Sequence, residues 1–295
     1  MLAIDFSILQ TFALDFTMQF GIVSILLFFA IKTRKLAIDF KRQKSNYQLN
    51  KAVTISSAGY YTSVLLVLLS AFSGESFGFL NDLISISSVG VVSIFMLYIN
   101  RILIDSIYLK DLNKEYELGR ENISFALFQS GGFIGTGVIL YNSFSGYEFT
   151  IGLLVVAISY FVISQILLFT FVKIATLNTR YDDINEIRRG NIAVGIEFLS
   201  LFLAISLLLG NVVGEVFEIS FEVISATLLY FTISILSIAY IPYIVTGLLV
   251  DGNKSVDDYI AEGNLDVAFK SGLVKLILAF LLIETLPLNF VIIHS

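Results

Sequence analysis

The chain has 295 residues, of which 57% are hydrophobic and 14% charged, and its mean hydropathy is +0.87. Soluble globular domains contain roughly 25% charged residues, so this composition indicates a membrane protein. The chain has no cysteine and one histidine, His294, which excludes disulfides, histidine-based triads and HExxH zinc sites. We expect no metal and no cofactor, and the net charge of −6 gives no basis for nucleic-acid binding.

Eight mostly apolar runs of about twenty residues follow one another along the chain, and each can cross roughly 30 Å of hydrocarbon as a helix. They are continuous rather than alternating, which favours helices over barrel strands. The runs lie near residues 13–31, 53–71, 83–103, 123–141, 149–172, 192–213, 221–249 and 265–286. The sequence therefore predicts an all-α polytopic membrane protein with eight transmembrane helices.

The basic residues are confined to alternate connections. Every Lys and Arg lies in or beside the first, third, fifth and seventh connections or in the first half of the last helix, whereas the other connections carry only acids. By the positive-inside rule the basic connections face the cytoplasm and both termini face outward.

Four asparagines, Asn50, Asn122, Asn191 and Asn264, recur at spacings of 72, 69 and 73 residues, and each stands before an even-numbered helix. A period near seventy predicts one two-helix unit repeated four times. Each unit enters and leaves on the same face of the membrane, so the copies are parallel, arranged as a pseudo-fourfold ring or as two four-helix halves.

The asparagines are interpreted as helix N-caps. The alternative is four carboxamides around a cytoplasmic vestibule. Amphipathic stretches at 111–121, 182–190 and 257–263 precede three of them, with apolar side chains expected on the headgroup layer.

Small residues fall at or near the eighth and ninth positions after each asparagine, as in Gly59, Ser130, Ser200 and Gly272. In lipid, small residues mark faces where helices approach closely. The fourth predicted helix has the richest set, namely Gly131, Gly132, Gly135 and Gly137. We interpret these glycines as packing residues, and a pore-lining face is the alternative.

The asparagine-led motifs NKAVTISSAG, NISFALFQSGG, NIAVGIEFLSL and NLDVAFKSGL resemble those of the bacterial membrane family called domain of unknown function 350, or YjfL-like. The resemblance implies two tandem four-helix domains, at residues 1–145 and 146–295, and a location in the bacterial cytoplasmic (inner) membrane. Lys51 and Asp266 depart from the small or apolar residues expected there. The family supplies no biochemical activity.

Ionisable residues inside a spanning helix cost about 2.5–3.5 kcal/mol at the centre and are functional candidates by default. Glu197 and Lys270 both lie six residues after their asparagine, roughly 9 Å into the membrane, and we expect them to pair or to share a polar cavity. Ser56 and Gln129 lie at the same level and would complete a polar layer. Lys275 lies roughly 16 Å deep, close to the midplane.

Two functions remain open on this basis. In the first, the repeats enclose a polar path for an ion, a proton or a small solute; in the second, the chain is a scaffold that recruits membrane or cytoplasmic proteins. The partner expected for either function is the lipid bilayer. A further copy of the chain or another protein is compatible with both. Lys275 and a serine such as Ser271 could supply the groups of a Ser–Lys hydrolase. We nevertheless expect that the protein is not an enzyme.

Overall fold

The computed structural model describes residues 6–39, 50–70, 72–73, 78–110, 112–145, 150–177, 179–215, 221–250 and 254–285. Every regular element in these ranges is helical. In chain order the helices are α1 (Phe6–Asp39), α2 (Lys51–Ser70), α3 (Phe79–Ile107), α4 (Lys114–Gly119), α5 (Ile123–Phe144), α6 (Ile151–Ala175), α7 (Asp183–Arg189), α8 (Ile192–Glu215), α9 (Phe221–Leu249), α10 (Val256–Ala261) and α11 (Leu265–Thr285).

Within the described residues, seven helices are long and apolar enough to cross a membrane, namely α1, α2, α3, α5, α6, α8 and α9. The prediction of an all-helical membrane protein is therefore confirmed. Helix α11 has 21 residues, which is sufficient length, but it carries Asp266, Lys270, Lys275 and Glu284. Every 18-residue stretch of α11 contains at least three of these ionisable residues, whereas each of the other seven long helices contains a stretch with no more than two.

The long helices form two layers. The inner layer is a row of the four helices that follow the asparagines, in the order α2, α5, α8 and α11, each packed against the next. The outer layer contains α1, α3, α6 and α9: α1 and α3 pack near α2 and α5, while α6 and α9 pack near α8 and α11. The inner helices thus form a row with two ends rather than the fourfold ring that the repeats also allowed.

Neighbouring helices in the row run parallel and share one register. In each interface, the residue nine places after one asparagine meets the residue eight places after the next. These contacts join Gly59 to Ser130, Gly131 to Leu199, and Ser200 to Gly272. A Cβ atom at Gly131 would lie 2.8 Å from the Leu199 Cα, so the two backbones are already in contact. Close backbone approach explains why small residues recur at these positions.

The four glycines of α5 face three different helices. Gly131 and Gly135 lie against α8, Gly132 lies against Ile104 of α3, and Gly137 lies against Ser63 of α2. The structure thus places all four at helix contacts and makes α5 the centre of the packing.

Gly131→Ala is expected to destabilise the protein by about 1–3 kcal/mol, because the new methyl group would push against the backbone of α8. Gly21→Ala in α1 is the matched control, since a Cβ atom there meets nothing within 4 Å. That substitution should be neutral or stabilising by up to about 1 kcal/mol through helix propensity. Unfolding of the purified variants in mixed micelles measures both values, and equal effects at the two positions would contradict the packing assignment.

Each asparagine caps its own helix. The side-chain Oδ1 accepts a hydrogen bond from a backbone N–H two or three residues further on, at 3.0–3.1 Å, in all four copies. This is the geometry that the capping interpretation predicts. Asn50 and Asn122 are each only 4% exposed, which does not match an open ring of carboxamides.

The first three asparagines also join each repeat to the next. The Nδ2 group of Asn50 donates to the Leu118 carbonyl at 2.6 Å, and that of Asn122 donates to the Ile187 carbonyl at 2.7 Å. Asn191 makes the equivalent bonds to Ile260 and to the following residue, both at 3.0 Å. The short helices α4, α7 and α10 are therefore tied to the preceding repeat. They lie on the side where all four inner helices begin, which we call the asparagine end.

The headgroup-layer expectation for the short helices is wrong for their central apolar residues. Ile187 and Ile260 are fully buried, because α7 and α10 fold back against the row. Tyr116 of α4 is 64% exposed and does remain on the surface.

Candidate functional site

The predicted polar layer lies at a repeated contact between neighbouring helices of the row. In each interface, the residue six places after one asparagine meets the residue seven places after the next. Ser56 donates to Gln129 at 2.8 Å between α2 and α5, and Ser271 donates to Glu197 at 3.1 Å between α8 and α11. The middle interface has aromatic rings at this level.

Those rings are Phe128 and Phe198, whose centroids are 4.8 Å apart. Phe202 and Tyr108 pack on Phe128 as well, at 5.2 and 5.7 Å. The single polar layer expected from the sequence is therefore divided into two separate clusters, one on each side of an apolar aromatic group.

The first cluster is built around Ser56 and Gln129. Arg34 of α1 donates to the Ser56 hydroxyl at 2.7 Å, and Gln129 reaches Asp105 of α3 at 3.4 Å. Asp105 in turn forms an ion pair with Lys114. Arg34 is 5% exposed, although sequence analysis counts it among the connection charges, because α1 continues beyond its apolar run.

The Arg34 guanidinium also lies over two aromatic rings, at 5.5 Å from the Tyr60 centroid and 5.2 Å from the Phe133 centroid. Cation–π contacts of this kind stabilise a partly desolvated guanidinium. Arg34 therefore holds α1 against α2 and α5.

The second cluster contains the most buried ion pair among the described residues, between Glu197 of α8 and Lys275 of α11. Their side chains are 6% and 2% exposed. Lys275 also donates to the Ser271 hydroxyl at 2.8 Å, and its ammonium lies 5.2 Å from the Tyr243 ring centroid. The hydroxyl of Tyr243 also lies beside the Glu197 carboxylate.

Lys270 does not take part in this cluster, contrary to the expectation that it faces Glu197. Its side chain is 40% exposed and pairs with Asp266 one turn earlier on the same helix, at 2.7 Å. The partner of Glu197 is the deeper Lys275.

A small cavity adjoins the Glu197–Lys275 pair. Its volume is about 10 Å³, which is room for about one water molecule. Its lining combines the ion pair, residues of α8 and α9, and the segment between the end of α6 and the start of α7. On that outer side it is lined by Thr179, Tyr181 and Asp183.

Pro242 of α9 interrupts the regular backbone hydrogen bonding of the helix near this cavity. Proline has no N–H, so the carbonyl of Ile238 lacks the regular backbone donor four residues later. Ile238, Ala239 and Tyr243 all line the cavity. This signal is present in the sequence, where a proline inside a long apolar run marks a carbonyl without its regular helical donor.

Asp183 is the titratable group at the outer end of the cavity. Burial raises the pKa of its carboxyl to about 7, and the nearby acids Asp182, Asp257 and Glu197 act in the same direction. The Thr179 hydroxyl, at 3.4 Å, favours the charged form and opposes the shift. Burial also raises the pKa of Asp257 and of the Tyr181 hydroxyl. Sequence reasoning missed these acids because residues of connections are usually solvated.

Ser271 and Lys275 are in hydrogen-bond contact, at 2.8 Å, as the members of a Ser–Lys catalytic pair would be. The Lys275 ammonium is engaged in the ion pair with Glu197. The adjoining cavity has space for about one water molecule, which leaves no room for a substrate carbonyl.

The fold has seven apolar helices, and its inner helices contact one another through equivalent positions in both halves. The chain is therefore a multi-pass membrane protein made of two repeated domains. The sequence model of the family described as "Domain of Unknown Function (DUF350)" matches the chain twice, at residues 7–144 and 149–286. The chain therefore belongs to this family, and the predicted resemblance is confirmed. A UPF0719 transmembrane protein from Aquifex aeolicus (strain VF5) is 24% identical over 222 residues, which are 74% of this chain and 80% of the relative. No solved structure matched the chain.

Proposed function

We propose that the second domain carries a proton path, in which the Glu197–Lys275 pair binds protons that arrive through the small cavity from Asp183. The observation that carries the proposal is the cavity itself, whose lining contains both a nearly fully buried ion pair and a carboxyl with a pKa of about 7. A group that titrates near the operating pH is suited to accept and release protons.

The proposal includes eight spans, with α11 as the eighth. The charges of α11 are compatible with insertion, because Lys275 pairs with Glu197 and Lys270 pairs with Asp266 in the first turn. Both termini then face outward, and the basic connections face the cytoplasm of a bacterium whose inner membrane holds the protein. The asparagine end and Asp183 lie on the cytoplasmic side in this orientation.

A proton fits the interior better than an ion with its hydration shell or a solute does. The cavity holds about one water molecule, and the row on either side is closed by backbone contacts at glycine and serine. Protons need no wider passage, because they move by exchange between water and titratable side chains.

Proton flux into proteoliposomes that contain a pH-sensitive dye tests this function. The wild-type protein is expected to collapse an imposed pH gradient faster than empty liposomes do. Asp183→Asn should slow this flux about 100-fold at pH 7, because it removes the exchangeable proton at the entrance while keeping the shape of the side chain. Asp266→Asn is the matched control, since Asp266 is an exposed carboxylate outside the cavity.

A scaffold role is the second candidate, and the tight contacts along the helix row favour it. The short helices α4, α7 and α10, joined by the asparagine bonds, would then form the surface that other proteins contact. Wild-type flux equal to that of empty liposomes, from protein shown to be folded, would overturn the proton path and leave this role.

A further inference from the structure

The outer layer has a groove where the two domains meet. Helices α3 and α6 both pack on α5, yet between them lies a space of about 740 Å³. This volume is within the range of small-molecule sites, which is roughly 300–1,000 Å³. It is far larger than the cavity beside Glu197 and Lys275.

The groove is apolar and opens sideways. Its walls consist mainly of branched aliphatic and aromatic side chains, such as Val91, Phe95 and Val162. Phe95 is 63% exposed and Ile166 is 61% exposed, so the groove faces the surroundings of the helices. In a membrane those surroundings are lipid.

The groove is long enough for an extended hydrocarbon chain. Its wall on α3 runs from Val91 to Ile107, a length of about 24 Å at 1.5 Å per residue. This length and the apolar lining suit an acyl chain that lies along the two helices.

One end of the groove is basic. Lys173, in the last turn of α6, lines the groove and is exposed. Lys110 is also exposed, in the turn that follows α3 at the same end. Basic side chains at the mouth of an apolar site between membrane helices are suited to bind a lipid phosphate.

We propose that this groove binds one anionic phospholipid, with an acyl chain between α3 and α6 and the phosphate against Lys173. The site lies between the two domains and uses none of the residues of the proton path. The bound lipid would fill the wide gap between α3 and α6.

Native mass spectrometry of the purified full-length protein, with phosphatidylglycerol or phosphatidylcholine added as the probe, tests the proposal. The wild-type protein is expected to retain one phosphatidylglycerol with about fivefold preference, since a basic residue attracts an anionic lipid by that factor. Lys173→Gln should abolish the preference, whereas Lys51→Gln, an equal charge change at the exposed start of α2, should leave it unchanged.

The apolar part of the site has its own matched pair. Val162→Phe should reduce retention of both lipids by filling the groove, whereas Ile163→Phe, the similarly exposed neighbour outside the lining, should not. Equal retention of the two lipids by the wild-type protein would overturn the proposal. Retention by the Val162 variant equal to that of the Ile163 variant would overturn it as well.

Discussion

Glu197→Ala is expected to destabilise the protein by about 3–5 kcal/mol, because it leaves a buried ammonium without its carboxylate. Lys275 is only 2% exposed, and the Ser271 hydroxyl alone does not compensate a full charge. Equilibrium unfolding in mixed micelles, by titration with a denaturing detergent, measures the change in free energy. Lys275→Met should have an effect of similar size, since it leaves Glu197 buried and unpaired.

The double variant Glu197→Leu, Lys275→Met is expected to have nearly wild-type stability. Replacing both members of a buried ion pair by apolar residues is often neutral, or stabilising by about 1–4 kcal/mol. The surface pair Lys270–Asp266 provides the comparison, and its removal by Asp266→Ala should cost no more than about 1 kcal/mol. A loss at Glu197 no greater than that at Asp266 would show that the buried pair is not formed.

The double variant also separates stability from proton movement. It keeps the fold but lacks both the carboxylate and the ammonium at the inner end of the cavity, so its proton flux should fall to the level of empty liposomes. Wild-type flux from a stable double variant would mean that protons do not use this pair.

The features that the sequence predicts well depend on local patterns. The apolar runs correspond to the long helices, and the asparagine before each even-numbered run caps the helix that follows. The small residues at the eighth and ninth positions lie at backbone contacts. In each case the property of a short segment, such as its length or its cap, determines the outcome.

The partner of Glu197 could not be predicted from depth alone. Lys270 and Lys275 are five residues apart, which places them about 140° apart around the helix. The position of α9 and α8 around α11 decides which lysine is buried. A helical side chain also points towards the N-terminus of its helix, so Lys275 reaches back to Ser271, level with Glu197.

The short helices show a second limit. Asp183 and Asp257 belong to polar connections, and nothing in their own segments indicates burial. They become partly desolvated because α7 and α10 pack against the inner helices. Asparagine side chains from another repeat hold the two short helices there by hydrogen bonds. Such contacts link residues almost seventy positions apart, which a local reading of the sequence does not resolve.

The asparagines allow a direct comparison between capping and repeat-to-repeat bonding. Asn264 caps α11 and, among the described residues, makes only that side-chain bond. Asn122 caps α5, and its Nδ2 group also donates to the Ile187 carbonyl and to the carboxylate of Glu117, which is 2% exposed. The two positions therefore share the cap and differ in the bonds to neighbouring segments.

Asn264→Ala is expected to cost about 1 kcal/mol, the usual value of a cap. Asn122→Ala should cost about 2–4 kcal/mol, because a buried carbonyl and carboxylate each lose a donor as well. Asn122→Asp keeps the capping oxygen but removes the donor and places a second carboxylate beside Glu117, so it should be at least as destabilising as the alanine variant. Unfolding in mixed micelles measures all three, and wild-type stability of Asn122→Asp would show that the asparagines act as caps alone.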